Sequence, residues 1–133
     1  MFSEWFQSSI NSRANFEFIL RALKDPDKFI LINTLPISEQ ICLIKNTIPY
    51  DSEEKIINGL LDNYGYKDKT FIIYGKNCSD ETVEKKHRQL VGLGITNVFT
   101  YYGGLFEWVL LQDIYGACEF PTTSKILDIL RYK

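Results

Sequence analysis

Thr70-Phe71-Ile72-Ile73-Tyr74-Gly75-Lys76-Asn77-Cys78 is the stretch that decides the fold. Its first five residues are apolar or β-branched without alternation. A strand with one wet face alternates, whereas an unbroken apolar run belongs to a strand buried on both faces, as in a parallel sheet covered by helices. Gly75 and the polar residues behind it mark an exit loop. Residues 29–32 (Phe-Ile-Leu-Ile) read the same way, and residues 97–101 (Asn-Val-Phe-Thr-Tyr) form a third strand. Strands separated by helical periodicities predict an α/β domain with a mostly parallel central sheet and helices on both faces. In such sheets ligand sites lie beyond the carboxyl ends of the strands. That directs attention to the loops 33–36, 75–79 and 102–104.

Between the strands the apolar residues recur at helical spacing. Phe16, Ile19, Leu20 and Leu23 follow Asn15 as cap, and Asp25-Pro26-Asp27 stops that helix. Residues 41–48 suggest a helical turn and a short strand. Asp51 or Ser52 caps a helix running to Asn63, with Ile56, Ile57, Leu60 and Leu61 on one face. Ser79 or Asp80 caps another, in which Val83, His87 and Leu90 share a stripe and Gly92 and Gly94 end it. Residues 106–115 form a helix closed by Gly116. It has more apolar positions than one face can hold, which predicts burial on two sides. Pro121-Thr122 opens a final helix containing Ile126, Leu127, Ile129 and Leu130.

A length of 133 residues is one domain's worth. The expected organisation is an extension at 1–14, the main domain at 15–116, and a C-terminal helix at 117–133 packed on it. A hydrophobic content of 45% builds a core and excludes a disordered chain. A net charge of -2 excludes bulk electrostatic capture of nucleic acid, which needs a basic excess. Cys42, Cys78 and Cys118 with the lone His87 lack the paired spacing of a zinc site, and three cysteines make a poor disulfide framework. Neither metal nor cofactor is expected. No apolar run approaches the ~20 residues of a membrane span. The opening Met1-Phe2-Ser3-Glu4-Trp5-Phe6 lacks the basic and then apolar pattern of a secretory signal. The expectation is a soluble, cytoplasmic protein with reduced thiols.

The order of these pieces resembles the rhodanese-like domain family across roughly residues 15–108. An opening helix and the strand 29–32 come first. Ile44-Lys45-Asn46-Thr47-Ile48-Pro49 is similar to the family's Ile-Pro-Gly-Ala-Ile-Asn segment. Phe71-Ile72-Ile73-Tyr74 resembles the strand that ends before the nucleophile. Gly103-Gly104 followed by Trp108 matches the family's Gly-Gly-x-x-x-Trp signature. The resemblance implies the fold, and for active members a persulfide-forming Cys immediately after the strand, in a pattern like Cys-x-x-Gly-x-Arg. Here that place is Gly75, Cys78 stands where the family has Gly, and Asp80 stands where it has Arg. Asn33-Thr34-Leu35 replaces the family's Asp-x-Arg, and Leu43 replaces a His. The fold residues are kept while the chemical ones are lost.

The candidate active-site loop is Gly75, Lys76, Asn77, Cys78, Ser79 and Asp80, with Gly103 and Gly104 as its neighbouring turn. Cys78, the candidate nucleophile, precedes a helix N-terminus, which lowers a thiol pKa. Asp80 works against it by repelling anions. Gly103-Gly104 reads as a tight turn or as a backbone nest for an anion. Cys42 reads as core, His87 as helix packing, Cys118 as incidental. Lys85, Lys86 and Arg88 read as a solvated face. The first functional reading is a rhodanese-like domain inactive as a thiosulfate sulfurtransferase and acting as a binding or regulatory module. Its partner would be a protein or a small anionic or sulfur ligand. The alternative is an atypical sulfurtransferase or sulfur carrier that uses Cys78 as the persulfide. A phosphatase of the related dual-specificity type needs Cys and Arg across one phosphate loop, and this chain has no such pair.

Overall fold

The computed structural model describes residues 12–133. Most of the expected extension 1–14, with Trp5 and Phe6, lies outside them. The described chain runs β1 (Arg13–Ala14), α1 (Phe16–Lys24), β2 (Phe29–Asn33), α2 (Tyr50–Asp62), β3 (Thr70–Tyr74), α3 (Thr82–Gly92), β4 (Val98–Tyr101) and α4 (Gly104–Tyr115). The sheet order is β1-β4-β3-β2, with every pairing parallel. β3 therefore lies inside the sheet, and all five of its residues are buried. The α/β architecture read from the apolar runs is the one observed.

Successive strand residues feed opposite layers, as the pleat requires. Leu31, Ile72, Tyr74 and Tyr101 join Ile19, Leu105, Trp108 and Val109 in one core layer, against α1 and α4. Ile32, Phe71, Ile73 and Val98 join Ile57, Val83 and Leu90 in the other, against α2 and α3. Asn15 caps α1 as expected, its Oδ1 accepting from Phe18 N at 3.1 Å. Among the described residues no helix is long and apolar enough to cross a membrane.

Four expectations need correction. The segment 117–133 is not a helix. Thr122 pairs antiparallel with Ile44, Thr123 N donates to Leu43 O at 2.8 Å, and Lys45 N donates to Pro121 O at 3.1 Å. Backbone that bonds outward in extended form cannot also close helical turns, and the remainder is too short to nucleate alone. Asp128 also bonds Leu130 N, a local turn that competes with helix. Residues 41–48 hold no strand. They make isolated bridges only, because Asn46 sits at φ +70° and turns the chain. Arg13–Ala14, placed in the expected extension 1–14, forms an edge strand on β4, too short to show periodicity in sequence. The starts of α2 and α3 differ from expectation: α2 begins behind Pro49 and α3 behind Glu81, neither of which makes a side-chain cap bond, while the expected Asp80 lies one residue further out and accepts from Thr82 N.

The two-sided burial expected for α4 is present, and its second cover is the extended tail. Trp108 is fully buried, stacks edge-on against Tyr101 and Phe120, and donates from Nε1 to Pro121 O at 3.1 Å. Trp108→Ala should cost about 3–5 kcal/mol in urea unfolding, from cavity and lost transfer together. Trp108→Phe should cost less than half of that, because Pro121 O keeps its bond from Lys45 N.

Candidate functional site

β2 and β3 end side by side, and their exits are tied at once. Thr34 N donates to Tyr74 O at 3.0 Å. Beneath this junction the Tyr74 hydroxyl is fully buried. It accepts from Ile44 N at 3.1 Å and lies 2.7 Å from Thr47 Oγ1. Thr47 spends its one proton on Ile44 O, so Tyr74 donates to Thr47. Burial pushes the Tyr74 phenol above its ordinary value, so it remains a neutral donor. This network anchors the 44–47 turn to the strand end. Asn33 is also structural. Its Oδ1 accepts from Leu35 N at 3.1 Å, and Gln40 Nε2 closes the same turn on Leu35 O at 2.8 Å.

The loop after β3 folds around the carboxylate of Asp80. Oδ2 accepts from Lys76 N at 2.9 Å, and Oδ1 accepts from Thr82 N at 3.0 Å. Thr82 Oγ1 lies 2.5 Å from Asp80 Oδ1 and 2.8 Å from Thr34 Oγ1. One hydroxyl proton serves one acceptor, and the charge of the carboxylate claims it. Partial burial alone would raise the Asp80 carboxyl. Donation by Lys76 N, by the Thr82 hydroxyl and by Thr82 N outweighs it and holds the group below its ordinary value.

Gly75 is the other half of this arrangement. A Cβ there would overlap Asp80 Oδ2 and sit 2.6 Å from Val83 Cγ2. The carboxylate therefore fills the space into which a side chain at 75 would project. The place just behind β3 carries no side chain and is closed in space.

The N-terminus of α4 locks the other side of the loop. Leu105 N donates to Gly75 O and Phe106 N to Lys76 O, both at 2.9 Å. Gly104 makes this approach possible. It sits at φ +68°, and a Cβ would stand 2.9 Å from Gly75 O and 3.0 Å from Asn77 N. The Gly103-Gly104 turn thus brings a helix end to the loop's carbonyls. At least two N–H groups that a nest would offer an anion are already spent.

Cys78 is brought next to the loop but not into it. It is exposed, and among the described residues nothing donates to its sulfur. The nearby donors go elsewhere: Ser79 N to Asn77 Oδ1 at 2.9 Å and Asp80 N to Asn77 O at 3.2 Å. Asn77 Nδ2 in turn reaches Tyr132 O at 2.9 Å. Leu43 is core. Cys42 is buried and donates from Sγ to Ser124 O, and Cys118 is exposed. His87 is half-buried on α3, with no partner for Nε2 among the described residues. Lys86, read as solvated, instead pairs with Glu53 of α2. Among the described residues no group of three or more His, Cys, Asp or Glu could hold a metal.

Two open clefts border the loop. One of about 700 Å³ is lined by Thr34, Glu39, Lys76, Asn77, Asp80 and Glu81 among others. The second, about 290 Å³, shares Thr34 and Thr82 and reaches Gln40, Tyr50 and Lys85. Three carboxylates against one ammonium line the larger cleft, a field that disfavours an anionic ligand. The sequence placed the loop 33–36, with Thr34, at the site, but it missed Thr82. It also missed that Asp80 turns inward, because no spacing in the sequence signals which donors a carboxylate meets.

No family model matches this chain, and no curated protein does. Solved structures do resemble it. A full-length protein from Lactobacillus plantarum superposes with a TM-score of 0.62 at 16% identity, covering 92% of this chain and 95% of that one. A protein from Bacillus halodurans gives 0.61 at 14% identity, covering 86% of this chain and 80% of its own. At such identity the likeness shows the fold alone.

Two outcomes follow from the Gly75–Asp80 pair. Gly75→Ala should destabilise the chain, and Asp80→Ala should relieve part of that cost, with a coupling of about 1–2 kcal/mol in a double-mutant cycle by urea unfolding. The folded Asp80 pKa lies below the unfolded one, so the unfolded chain takes up the proton first as pH falls. The stability that Asp80 contributes is complete above the ordinary carboxyl value near pH 4 and is lost as pH drops through the lower folded value. Asp80→Asn should flatten that acid limb in denaturation midpoints measured against pH.

Proposed function

We propose that this chain is a rhodanese-like domain that does not act as a thiosulfate sulfurtransferase and serves as a binding or regulatory module. The loop 75–80 and its clefts are the contact surface. One observation carries the reading: the carboxylate of Asp80 occupies the space beside Gly75 and takes the N–H groups of Lys76 and Thr82. A sulfurtransferase needs a thiolate held by such donors and a cation for its anionic substrate. Here an internal carboxylate stands in place of both. It repels a second anion and raises the pKa of a thiol placed beside it.

The alternative, persulfide transfer through Cys78, has in its favour the exposure of that sulfur. Against it stands the absence, among the described residues, of a donor to the sulfur. The binding partner is inferred to be a protein rather than a small anion, because Glu39, Asp80 and Glu81 line the larger cleft.

The full chain incubated with thiosulfate and cyanide should form no thiocyanate above the protein-free rate. Mass spectrometry after exposure to a persulfide donor should find no added sulfur on Cys78. Turnover that disappears in Cys78→Ser would overturn the proposal and establish the sulfur-carrier reading.

A further inference from the structure

Residues 121–133 return to the candidate site. Residues 121–124 are bonded to the 41–45 segment, and Ser124 Oγ donates to Ile41 O at 2.6 Å. Beyond them the hydrogen bonds of residues 125–131 are made within the segment, as in Arg131 N to Asp128 O. Leu127 stands 88% exposed. Then Tyr132 goes back into the protein, 1% exposed, among the residues of the α1–α4 core layer. Its carbonyl accepts from Asn77 Nδ2. Its buried hydroxyl has no hydrogen-bond partner among the described residues. A hydroxyl buried without a partner carries a desolvation penalty, so this side chain is held less firmly than its burial suggests.

Asn77 joins the two elements. Its Nδ2 holds the tail, its Oδ1 holds Ser79 N, and its carbonyl holds Asp80 N. The geometry points to a strap. We propose that residues 125–133 form a releasable latch whose last anchor, Tyr132, sets the order of the 77–80 turn and thereby the shape of the cleft beside it. The idea deepens the reading of the loop as a contact surface, because it supplies that surface with a regulator. Release frees the Asn77 amide and lets the turn rearrange. The Lys76 and Thr82 amides stay on Asp80, and the sheet stays closed.

Amide exchange followed by NMR separates this from a purely structural tail. The full chain is compared with a chain ended at Arg131, with Tyr132→Ala and with Tyr132→Phe. In the first two variants the Ser79 and Asp80 amides should exchange about tenfold faster or more, with the amides of Ile72 and Ile73 unchanged. Tyr132→Phe keeps the ring and the carbonyl contact and loses only an unpartnered hydroxyl, so its rates should match the full chain. Unchanged Ser79 and Asp80 rates in the shortened chain would overturn the strap. Acceleration spread equally over β3, or failure of both the shortened chain and Tyr132→Ala to fold, would also overturn it by making Tyr132 an ordinary core residue. Thiocyanate formation decides the inactive-module reading separately, since loop exchange does not depend on it.

Discussion

A carboxylate against a bare Cα organises the carboxyl ends of the strands. Asp80 can turn inward because Gly75 has no side chain, and the carboxylate lies where a Cβ at 75 would stand. The carboxylate then needs donors, and it finds them in the Lys76 and Thr82 amides. Those bonds set the path of the loop, start α3 and place Thr82 beside Thr34. An ionised group in a partly buried place is costly unless it is hydrogen-bonded, so the loop around Asp80 is tightly specified. Any side chain at 75 would contend with that whole arrangement.

The other constraint comes from α4. Its first N–H groups have no partners within the helix, and they find them in the carbonyls of Gly75 and Lys76. The close approach is possible only with glycine at 104, where backbone meets backbone. Loop carbonyls drawn toward α4, and the Lys76 and Thr82 amides drawn toward Asp80, hold the loop from both sides. The exposed sulfur of Cys78 has no donor among the described residues. What remains open to a partner is the larger cleft outside the loop, acidic in balance and bordered by residues of the 33–40 turn and by the loop running into Thr82.

Much of the fold was legible in the sequence because burial leaves a direct mark on composition. Thr70–Tyr74 is apolar throughout because β3 has neighbours on both sides and helices on both faces. Asn15 could be read as a cap because its amide acts three residues away. Local signals of this kind need no tertiary knowledge. The tail misled for the same reason. Ile126, Leu127, Ile129 and Leu130 have helical spacing, yet the backbone before them is claimed by residues 41–45. Arg13–Ala14 was invisible because two residues carry no period. At the site, the replacement of the expected Cys by Gly75 was plain, while the direction in which Asp80 points was not.

By itself, then, the sequence determined the layers of the domain, the positions of the main strands and helices, and the absence of a thiol at the strand end. Each follows from hydrophobic periodicity or from residue identity, which are properties of short stretches. Only the tertiary structure decided that Asp80 fills the loop, that Cys78 faces outward and that Tyr132 returns to Asn77. Those outcomes rest on hydrogen bonds and steric exclusion between groups brought together by folding, and no local pattern encodes which donor meets which acceptor.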